Sequence, residues 1–355
     1  MTRSRMSLAL AACLALAVAL GGCGKSSTPI TPGSGPLPYL GLVPNPSDPA
    51  FFHPDSAREA VELPRSTGVN MVQMGDLWST LEPSAGALSG ATLRLQCFIY
   101  TTLGVRPFFN LRLIDTNQRG VPADLASTAW DAPAMTARVD AVVDTILAVS
   151  QLYPLIVLGI GNEVDVYFAA HPSELPAFRA LLTRQIARIH AAQPGLPVGT
   201  STTSPQNGNG WVGDTLNAYT DVRMYTYYPF VPASDFQMQP PSVLDADLDA
   251  MLARGTSPMF MQEVGYSSSP ACGSSPALQS EFARRFRQWH ARQTRSRVLG
   301  VSYFMYTDWS SATLNTLYTY YGLVSPGFAG YLGGLGLRDS SGIAKPAWEA
   351  WKNPS

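Results

Sequence analysis

The chain has 355 residues, of which 46% are hydrophobic and 14% charged, and its formal net charge is −1. These proportions exclude a largely disordered protein, and the balanced charge without a Lys/Arg block argues against nucleic acid as a partner. The length suits one α/β barrel plus a leader. The protein is expected to be a monomer. Four Cys and four His, none in metal-ligand spacing, argue against a structural zinc site. No glycine-rich phosphate fingerprint follows the first predicted strand, and no metal or other cofactor is expected.

The first residues are predicted to be a targeting segment. Two arginines precede an apolar run from Leu8 to Leu20, which is too short to span a bilayer as a stable helix. The run closes with Leu-Gly-Gly-Cys23, which resembles the lipobox of a bacterial lipoprotein signal. That resemblance implies a signal peptide over 1–22 and a lipid on Cys23 that holds the protein at a membrane of the cell envelope, facing the periplasm or the cell surface. The alternative is an ordinary secretory signal with Cys23 as a bystander. Residues 23–38, rich in Ser, Pro and Gly, are predicted to be a flexible tether.

From Tyr39 onward, short apolar runs alternate with amphipathic stretches, and eight such pairs are present. The predicted strands lie within 39–43, 69–74, 105–113, 155–165, 196–200, 221–228, 258–266 and 298–306. Helical spacing of apolar residues and helix-start signals such as Ser275-Pro276 place helices between them. A long loop is expected after the eighth strand, before a last helix near the C-terminus. Eight alternations without hairpin signals predict a parallel sheet closed as a (β/α)8 TIM barrel, one domain over 39–355.

The active site of such a barrel is built at the carboxyl ends of its strands. At these ends the sequence places carboxylates, an amide, an arginine and flat aromatic rings. Sugar rings have apolar C–H faces that stack on aromatic rings, and hydroxyls that pair with carboxylates and amides, so carbohydrate is the expected ligand. The candidate residues are Asp76, Trp78, Arg112, Asn162, Glu163, Asp165, Tyr227, Tyr228, Glu263 and Trp309.

Three short motifs resemble a known group of enzymes. They are Gly161-Asn162-Glu163 on the fourth strand, Tyr228-Pro229-Phe230 after the sixth, and Glu263-Val-Gly265-Tyr266 on the seventh. Together they look like the clan A retaining glycoside hydrolases, and within that clan they look most like endo-β-1,3-glucanases and endo-β-1,4-galactanases. The resemblance spans Tyr39 to the C-terminus.

The resemblance implies a role for each matching residue. Glu163 would be the general acid/base and Glu263 the nucleophile of a two-glutamate double displacement on a β-linked poly- or oligosaccharide. Asn162 would hydrogen-bond the sugar 2-hydroxyl, Tyr228 would hold Glu263, and Trp309 would form the floor of a sugar subsite. The chemistry needs one carboxyl group with a raised pKa and one that stays ionised, about 5–5.5 Å apart in retaining enzymes.

One departure from the pattern keeps an alternative open. Many clan members place an arginine at the end of the second strand, and Val72-Gln73-Met74 offers none; Arg112 after the third strand is the candidate substitute. Without a substitute, Glu263 would be less well ionised or the site would have lost activity. The alternative function is therefore a catalytically inactive, surface glycan-binding lipoprotein on the same barrel. A metal-dependent barrel hydrolase is disfavoured, because no His-x-His or clustered His/Asp set falls at the strand ends.

Overall fold

The computed structural model of the chain describes residues 37–45 and 54–354. The predicted signal peptide, Cys23 and most of the predicted tether lie outside these residues. The last two tether residues are held against the folded domain, because Arg295 Nε donates to the carbonyl of Leu37 (3.0 Å) and His290 Nε2 donates to that of Pro38 (3.2 Å). Among the described residues, no helix is both long and apolar enough to cross a membrane.

Eight parallel strand positions form one sheet that closes on itself. They are β1 (Tyr39–Leu42), β2 (Met71–Leu77), β3 (Arg106–Asp115), β4 (Leu158–Asn162), β5 in two pieces (Val198–Gly199 and Ser201–Thr203), β6 (Arg223–Tyr227), β7 (Met259–Val264) and β8 (Val298–Tyr303). β1 pairs with both β2 and β8. The first piece of β5 pairs with β4 and the second with β6, which completes the ring. The predicted (β/α)8 barrel is confirmed.

Helices fill the connections between the strands. They are α1 (Pro54–Arg65), α2 (Trp78–Leu81), α3 (Ala91–Thr102), α4 (Pro133–Leu152), α5 (Val164–Ala170), α6 (Leu175–Ala192), α7 (Gly210–Asn217), α8 (Leu244–Leu252), α9 (Pro276–Ala291), α10 (Ser311–Tyr321), α11 (Pro326–Gly333) and α12 (Pro346–Lys352). The predicted helix start at Ser275 is confirmed, since its side chain accepts a bond from Leu278 N.

The segment predicted as a long loop after β8 contains two helices instead. Ser310 caps α10 and Ser325 caps α11, each by accepting a backbone N–H three residues on. The apolar residues of α10 recur at helical spacing, which is the signal that favours a helix here. We call residues 311–333 the cap segment. It matters for function because it lies at the carboxyl ends of the strands.

The interior of the barrel changes from apolar to polar along its axis. Met71, Phe108, Met224 and Phe260 pack together in its lower part. Because alternate residues of a strand face the same side, Phe108 on β3 is followed inside the barrel by Asn110 and then Arg112. The carboxyl end of the barrel is therefore lined with polar side chains, above an apolar base that holds the strands together.

One irregularity in β7 brings two consecutive side chains to the interior. Met261 pairs with Tyr225 on one side and Val301 on the other, whereas the next pairs are Glu263 with Thr226 and Val264 with Tyr303. β7 therefore has one residue more than both neighbours, which is a β-bulge. Gln262 bonds Asn110 and Asn162 inside the barrel, and Glu263 next to it also faces inward.

Candidate active site

A cavity of about 650 Å³ opens at the carboxyl ends of the strands, within the range of roughly 300–1,000 Å³ typical of small-molecule sites. Among the described residues, the charged side chains that line it come from β2, β3, β7 and the turn after β4. We call one side of it the polar wall, formed by Gln73, Asp76, Arg112, Asn162, Glu163 and Glu263. We call the other side the apolar wall, formed after β6 and in the cap segment by Phe230, Phe236, Leu317, Leu323, Phe328 and Leu332.

Glu163 lies in the sharp turn between β4 and α5. Gly161 has φ 92° and Glu163 itself φ 47°, a left-handed conformation that is uncommon outside glycine. A Cβ on Gly161 would come within 2.5 Å of Val164 Cγ1, so the turn requires glycine there. The turn directs the Glu163 carboxyl group into the cavity, where it accepts hydrogen bonds from Thr226 Oγ1 (2.6 Å) and Thr116 Oγ1 (2.9 Å).

Glu263 faces the cavity from the bulged end of β7. Its carboxyl group accepts a bond from the Tyr228 hydroxyl (2.7 Å) and another from Gln73 Nε2 (3.2 Å). A Cβ on Gly265 would come within 2.5 Å of the Tyr228 ring, so this glycine leaves room for the tyrosine that holds Glu263. The Glu-x-Gly spacing of the sequence motif thus has a steric reason.

The two glutamates are neighbours. Thr226 is the ladder partner of Glu263 on the adjacent strand, and adjacent strands lie about 4.8 Å apart. The hydroxyl of the same Thr226 lies 2.6 Å from Glu163 Oε1. Both carboxyl groups therefore flank one threonine in one cavity, although they are far apart in sequence.

The two carboxyl groups differ in what surrounds them. Burial, and then the charge of Glu263, raises the pKa of Glu163 to about 8, against the hydrogen bonds from two threonine hydroxyls. Burial also raises the pKa of Glu263, but the hydrogen bond from Tyr228 and the positive charge of Arg112 oppose the rise. The pKa of both carboxyl groups is therefore raised, but only Glu263 has a guanidinium that favours its ionised form, whereas the charge of Glu263 favours the protonated form of Glu163.

Arg112 supplies positive charge where the second strand offers none. Gln73 on β2 gives Glu263 only a neutral hydrogen bond. The Arg112 guanidinium lies 3.7 Å from Asp115 (Nη1–Oδ2); burial opposes its charge, but the carboxylates of Asp115 and Glu263 keep the pKa of Arg112 above its ordinary value. This placement makes Arg112 available to replace the missing arginine, and that role stays a prediction.

A chain of buried amides fixes the orientation of Asn162. Asn110 Nδ2 donates to Gln262 (2.7 Å), Gln262 Nε2 donates to Asn162 (2.5 Å), and Asn162 Nδ2 donates to Asp115 (2.8 Å). The Asp115 carboxylate also accepts a bond from the Tyr320 hydroxyl in α10 (2.7 Å). The polar wall and the cap segment are therefore joined at Asp115.

Three predicted site residues do not reach the cavity. Trp78 is fully buried behind β2 and donates its indole N–H to Glu82 (2.9 Å). Tyr227 points outward from β6, because Thr226 next to it points inward, and its hydroxyl donates to Asp247 of α8 (2.8 Å). Asp165 is buried in the first turn of α5, where it accepts two bonds from Thr203 (2.7 and 2.5 Å). The prediction of substrate contact was wrong for all three.

The other predicted residues line the cavity. Burial raises the pKa of Asp76 to about 6, against the charge of Arg112. Trp309 lies at the cavity with its indole N–H buried and without a hydrogen-bond partner. Within residues 37–45 and 54–354, no group of three or more His, Cys, Asp or Glu side chains could hold a metal ion.

Sequence reasoning missed several residues of the site. Thr116, Thr226, Tyr321 and Tyr331 all line the cavity. The signal for Thr226 was available, since it alternates with two tyrosines on β6 and so faces the opposite side of the sheet. The signal for Tyr321 was the helical spacing of apolar residues in α10. No sequence signal indicates that Thr116 belongs to the site.

Comparison with known proteins extends these observations. No protein-family model and no curated protein sequence matches the chain. A GH5_18 structure from Bifidobacterium longum subsp. infantis is similar with a TM-score of 0.70 and 16% identity over 90% of this chain and 79% of that one. A GH5_18 variant from Streptomyces cattleya, in complex with Manβ1-4GlcNAc, has a TM-score of 0.66 and 17% identity over 89% and 79%.

A third similar structure is an exo-β-1,4-mannosidase from Opitutaceae bacterium strain TAV5, with a TM-score of 0.68 and 18% identity. The alignment covers 93% of this chain and 61% of the mannosidase. Sequence identity this low shows the fold alone, and the finer likeness to endo-glucanases and endo-galactanases stays a prediction. The chain therefore has the TIM-barrel fold found in these clan A glycoside hydrolases.

Proposed function

We propose that this protein is a retaining β-glycosidase with Glu163 as the general acid/base and Glu263 as the nucleophile. The observation that carries the proposal is the pair of buried, adjacent carboxyl groups with opposite surroundings in one cavity. A raised pKa suits the proton donor Glu163, and the nearby charge of Arg112 suits a nucleophile that must ionise.

The reaction would take two steps. Glu263 attacks the anomeric carbon while Glu163 gives its proton to the glycosidic oxygen, so an ester to the enzyme forms and the leaving alcohol departs. Glu163, now ionised, then takes a proton from a water molecule whose oxygen attacks the anomeric carbon, and Glu263 leaves as a carboxylate. Asn162, fixed by the buried amides, is placed to hydrogen-bond the sugar as charge develops on the ring.

We propose further that the enzyme releases one terminal sugar from a small substrate. The cap segment lies over the barrel mouth and is tied to the loop after β3, since Asn117 Nδ2 and Gln118 Nε2 donate to carbonyls of α10 (3.3 and 3.2 Å). A cavity partly covered by the cap segment suits a chain end better than the middle of a polysaccharide. β-Mannosides are the first candidates, because one structure of the same fold is an exo-β-1,4-mannosidase and another binds Manβ1-4GlcNAc.

A panel of nitrophenyl β-glycosides, Manβ1-4GlcNAc and β-linked polysaccharides tests the proposal, with the anomeric form of the first product read by NMR. We expect hydrolysis with retention and the release of single sugars. An inverted product would reject the mechanism. Saturable binding of these sugars without any release over long incubation would establish the inactive glycan-binding protein instead.

Matched variants test the two glutamates. We expect Glu163→Gln and Glu263→Gln each to abolish turnover of glycosides with poor leaving groups while the circular dichroism spectrum is unchanged. Glu349→Gln, on the exposed face of α12, is the control and should keep full activity. Normal turnover by either cavity variant would reject the assignment.

We also propose that the protein is a monomeric lipoprotein of the cell envelope, anchored through Cys23 and joined to the barrel by the tether. The lipid anchor on Cys23 can be tested without measuring activity. Growth with an alkyne fatty acid should label the parent chain, and the Cys23→Ala variant should lose the label.

A further inference from the structure

The apolar wall offers little to a second sugar ring. The described residues that line the cavity after β6 and in the cap segment include no charged or amide side chain. The Tyr228 hydroxyl is already bonded to Glu263, and Leu317, Leu323 and Leu332 have no polar side-chain atoms. The described side chains of this region therefore offer only the hydroxyls of Tyr321 and Tyr331 as further polar groups. A buried sugar hydroxyl without a partner loses its bonds to water and gains none in return. This wall therefore favours an apolar group over one that carries several hydroxyls.

The same wall has apolar surface left uncovered. α10 contains no buried residue, although Leu317 and Tyr321 on it face the cavity. At the tip between α10 and α11, Leu323 is 39% exposed and Val324 76% exposed. Apolar surface of this kind gains free energy when an apolar group covers it.

The polar wall accounts for the sugar that is released. Gln73, Asp76 and Asn162 stand beside the two glutamates and can pair with the hydroxyls of the sugar being released. Tyr331 of the cap segment is close enough that burial, and then the charges of Glu163 and Glu263, raise its pKa well above the ordinary value. The cap segment thus reaches the reacting pair from the opposite side.

We infer that the substrate is a β-glycoside with an apolar aglycone, an alkyl chain or aromatic ring that lies against Leu317, Leu323, Phe328 and Leu332. The inference rests on the proposed glycosidase function and names the class of its leaving group. The sugar occupies the polar wall and the aglycone occupies the apolar wall. The leaving alcohol takes the proton of Glu163 as the bond to the anomeric carbon breaks.

A homologous series of substrates tests the inference. Methyl, ethyl, butyl, hexyl and octyl β-D-mannosides and β-D-glucosides are compared by kcat/KM, with aryl β-glycosides and Manβ1-4GlcNAc alongside. Binding of the same alkyl series to the Glu163→Gln variant is measured by calorimetry. We expect kcat/KM and affinity to rise by about fourfold per methylene over the first additions, the value for a fully buried methylene. Tighter binding of a phenyl glycoside than of long alkyl glycosides to the Glu163→Gln variant would identify a ring rather than a chain.

Variants connect the trend to the wall. Leu317→Asn and Leu323→Asn should flatten the dependence on chain length, whereas Leu152→Asn, the same change at an exposed leucine of α4, should leave it intact. Turnover without any chain-length trend, or a faster reaction with Manβ1-4GlcNAc than with octyl glycosides, would overturn the inference and leave the glycosidase function standing. If no glycoside is hydrolysed, the glycosidase proposal fails, and a chain-length trend in binding still decides whether the wall takes an apolar group.

Discussion

The two walls of the cavity are held in different ways. The polar wall stands on strands whose register is fixed by the sheet, and its glutamates and Asn162 each have defined hydrogen-bond partners. The apolar wall depends largely on the cap segment, whose helix α10 has no buried residue and which is tied down at a few points. One of them is the hydrogen bond from the backbone N–H of Gly327 in α11 to Asp235 Oδ2 (2.9 Å).

The difference separates chemistry from specificity. Side chains on closed strands keep their geometry whatever lies above them, whereas a half-buried helix can change without disturbing the barrel. Variants of the polar wall should therefore affect every substrate, and variants of the cap segment should affect only recognition. The following experiments test that division.

Loss of the proton donor should have the largest effect. In Glu163→Gln we expect kcat/KM to fall by about 10²–10⁴-fold for alkyl glycosides, because their leaving group needs a proton. The loss should be far smaller for a dinitrophenyl glycoside, whose leaving group departs as an anion. Equal losses for both substrates, measured under the same conditions, would mean that Glu163 is not the acid.

Loss of the guanidinium should change the pH dependence. Without the charge of Arg112 the pKa of Glu263 rises further, so less of it is ionised at a given pH. For Arg112→Gln we expect the acid limb of kcat/KM to move up by about one pH unit or more, with about a tenfold lower rate on that limb. Arg94→Gln, exposed on α3, is the matched control. An acid limb that stays in place would remove Arg112 from this role.

Loosening the cap segment should affect binding alone. Tyr320→Phe removes the bond from α10 to Asp115, a hydrogen bond worth about 0.5–1.5 kcal/mol net. We expect KM to rise by about two- to tenfold with kcat nearly unchanged, since Asn162 keeps its own bond to Asp115. A fall in kcat with constant KM would show that the cap segment and the polar wall act as one unit.

The smallest effect concerns stability. The folded state raises the pKa of Glu163 from 4.5 to about 8, so its contribution to stability is fully present below pH 4.5 and is lost as the pH rises towards 8. The side chain of Glu163→Gln cannot ionise, so above pH 8 this variant should have a higher unfolding temperature than the parent. We expect a difference of a few degrees, since about 2–4 °C per kcal/mol is usual for domains of 150–250 residues. The unfolding temperatures of variant and parent are measured by calorimetry across the pH range, with Glu349→Gln as control. A difference between them that does not change with pH would contradict this prediction.

Local pattern was enough for the barrel and for part of the site. Buried strands appear as unbroken apolar runs and helices as residues spaced by three and four, so the eight units and their order followed from the sequence. Glu163 and Glu263 were found for the same reason, since each follows such a run. The prediction for Tyr227 was wrong because Tyr227 and Tyr228 were placed in the site together. Consecutive residues of a strand face opposite sides, so Tyr228 lies at the cavity and Tyr227 faces the helices.

The sequence alone determined the kind of sheet and the residues that stand at its carboxyl ends, because these depend on the periodicity of neighbouring residues. The tertiary structure alone decided which side chains meet. The bulge that turns both Gln262 and Glu263 inward, the approach of Arg112 to Glu263, and the passage of α10 over Asp115 each depend on pairing between distant segments. Local periodicity cannot specify such pairings, since the contacts arise only when the ring of strands closes.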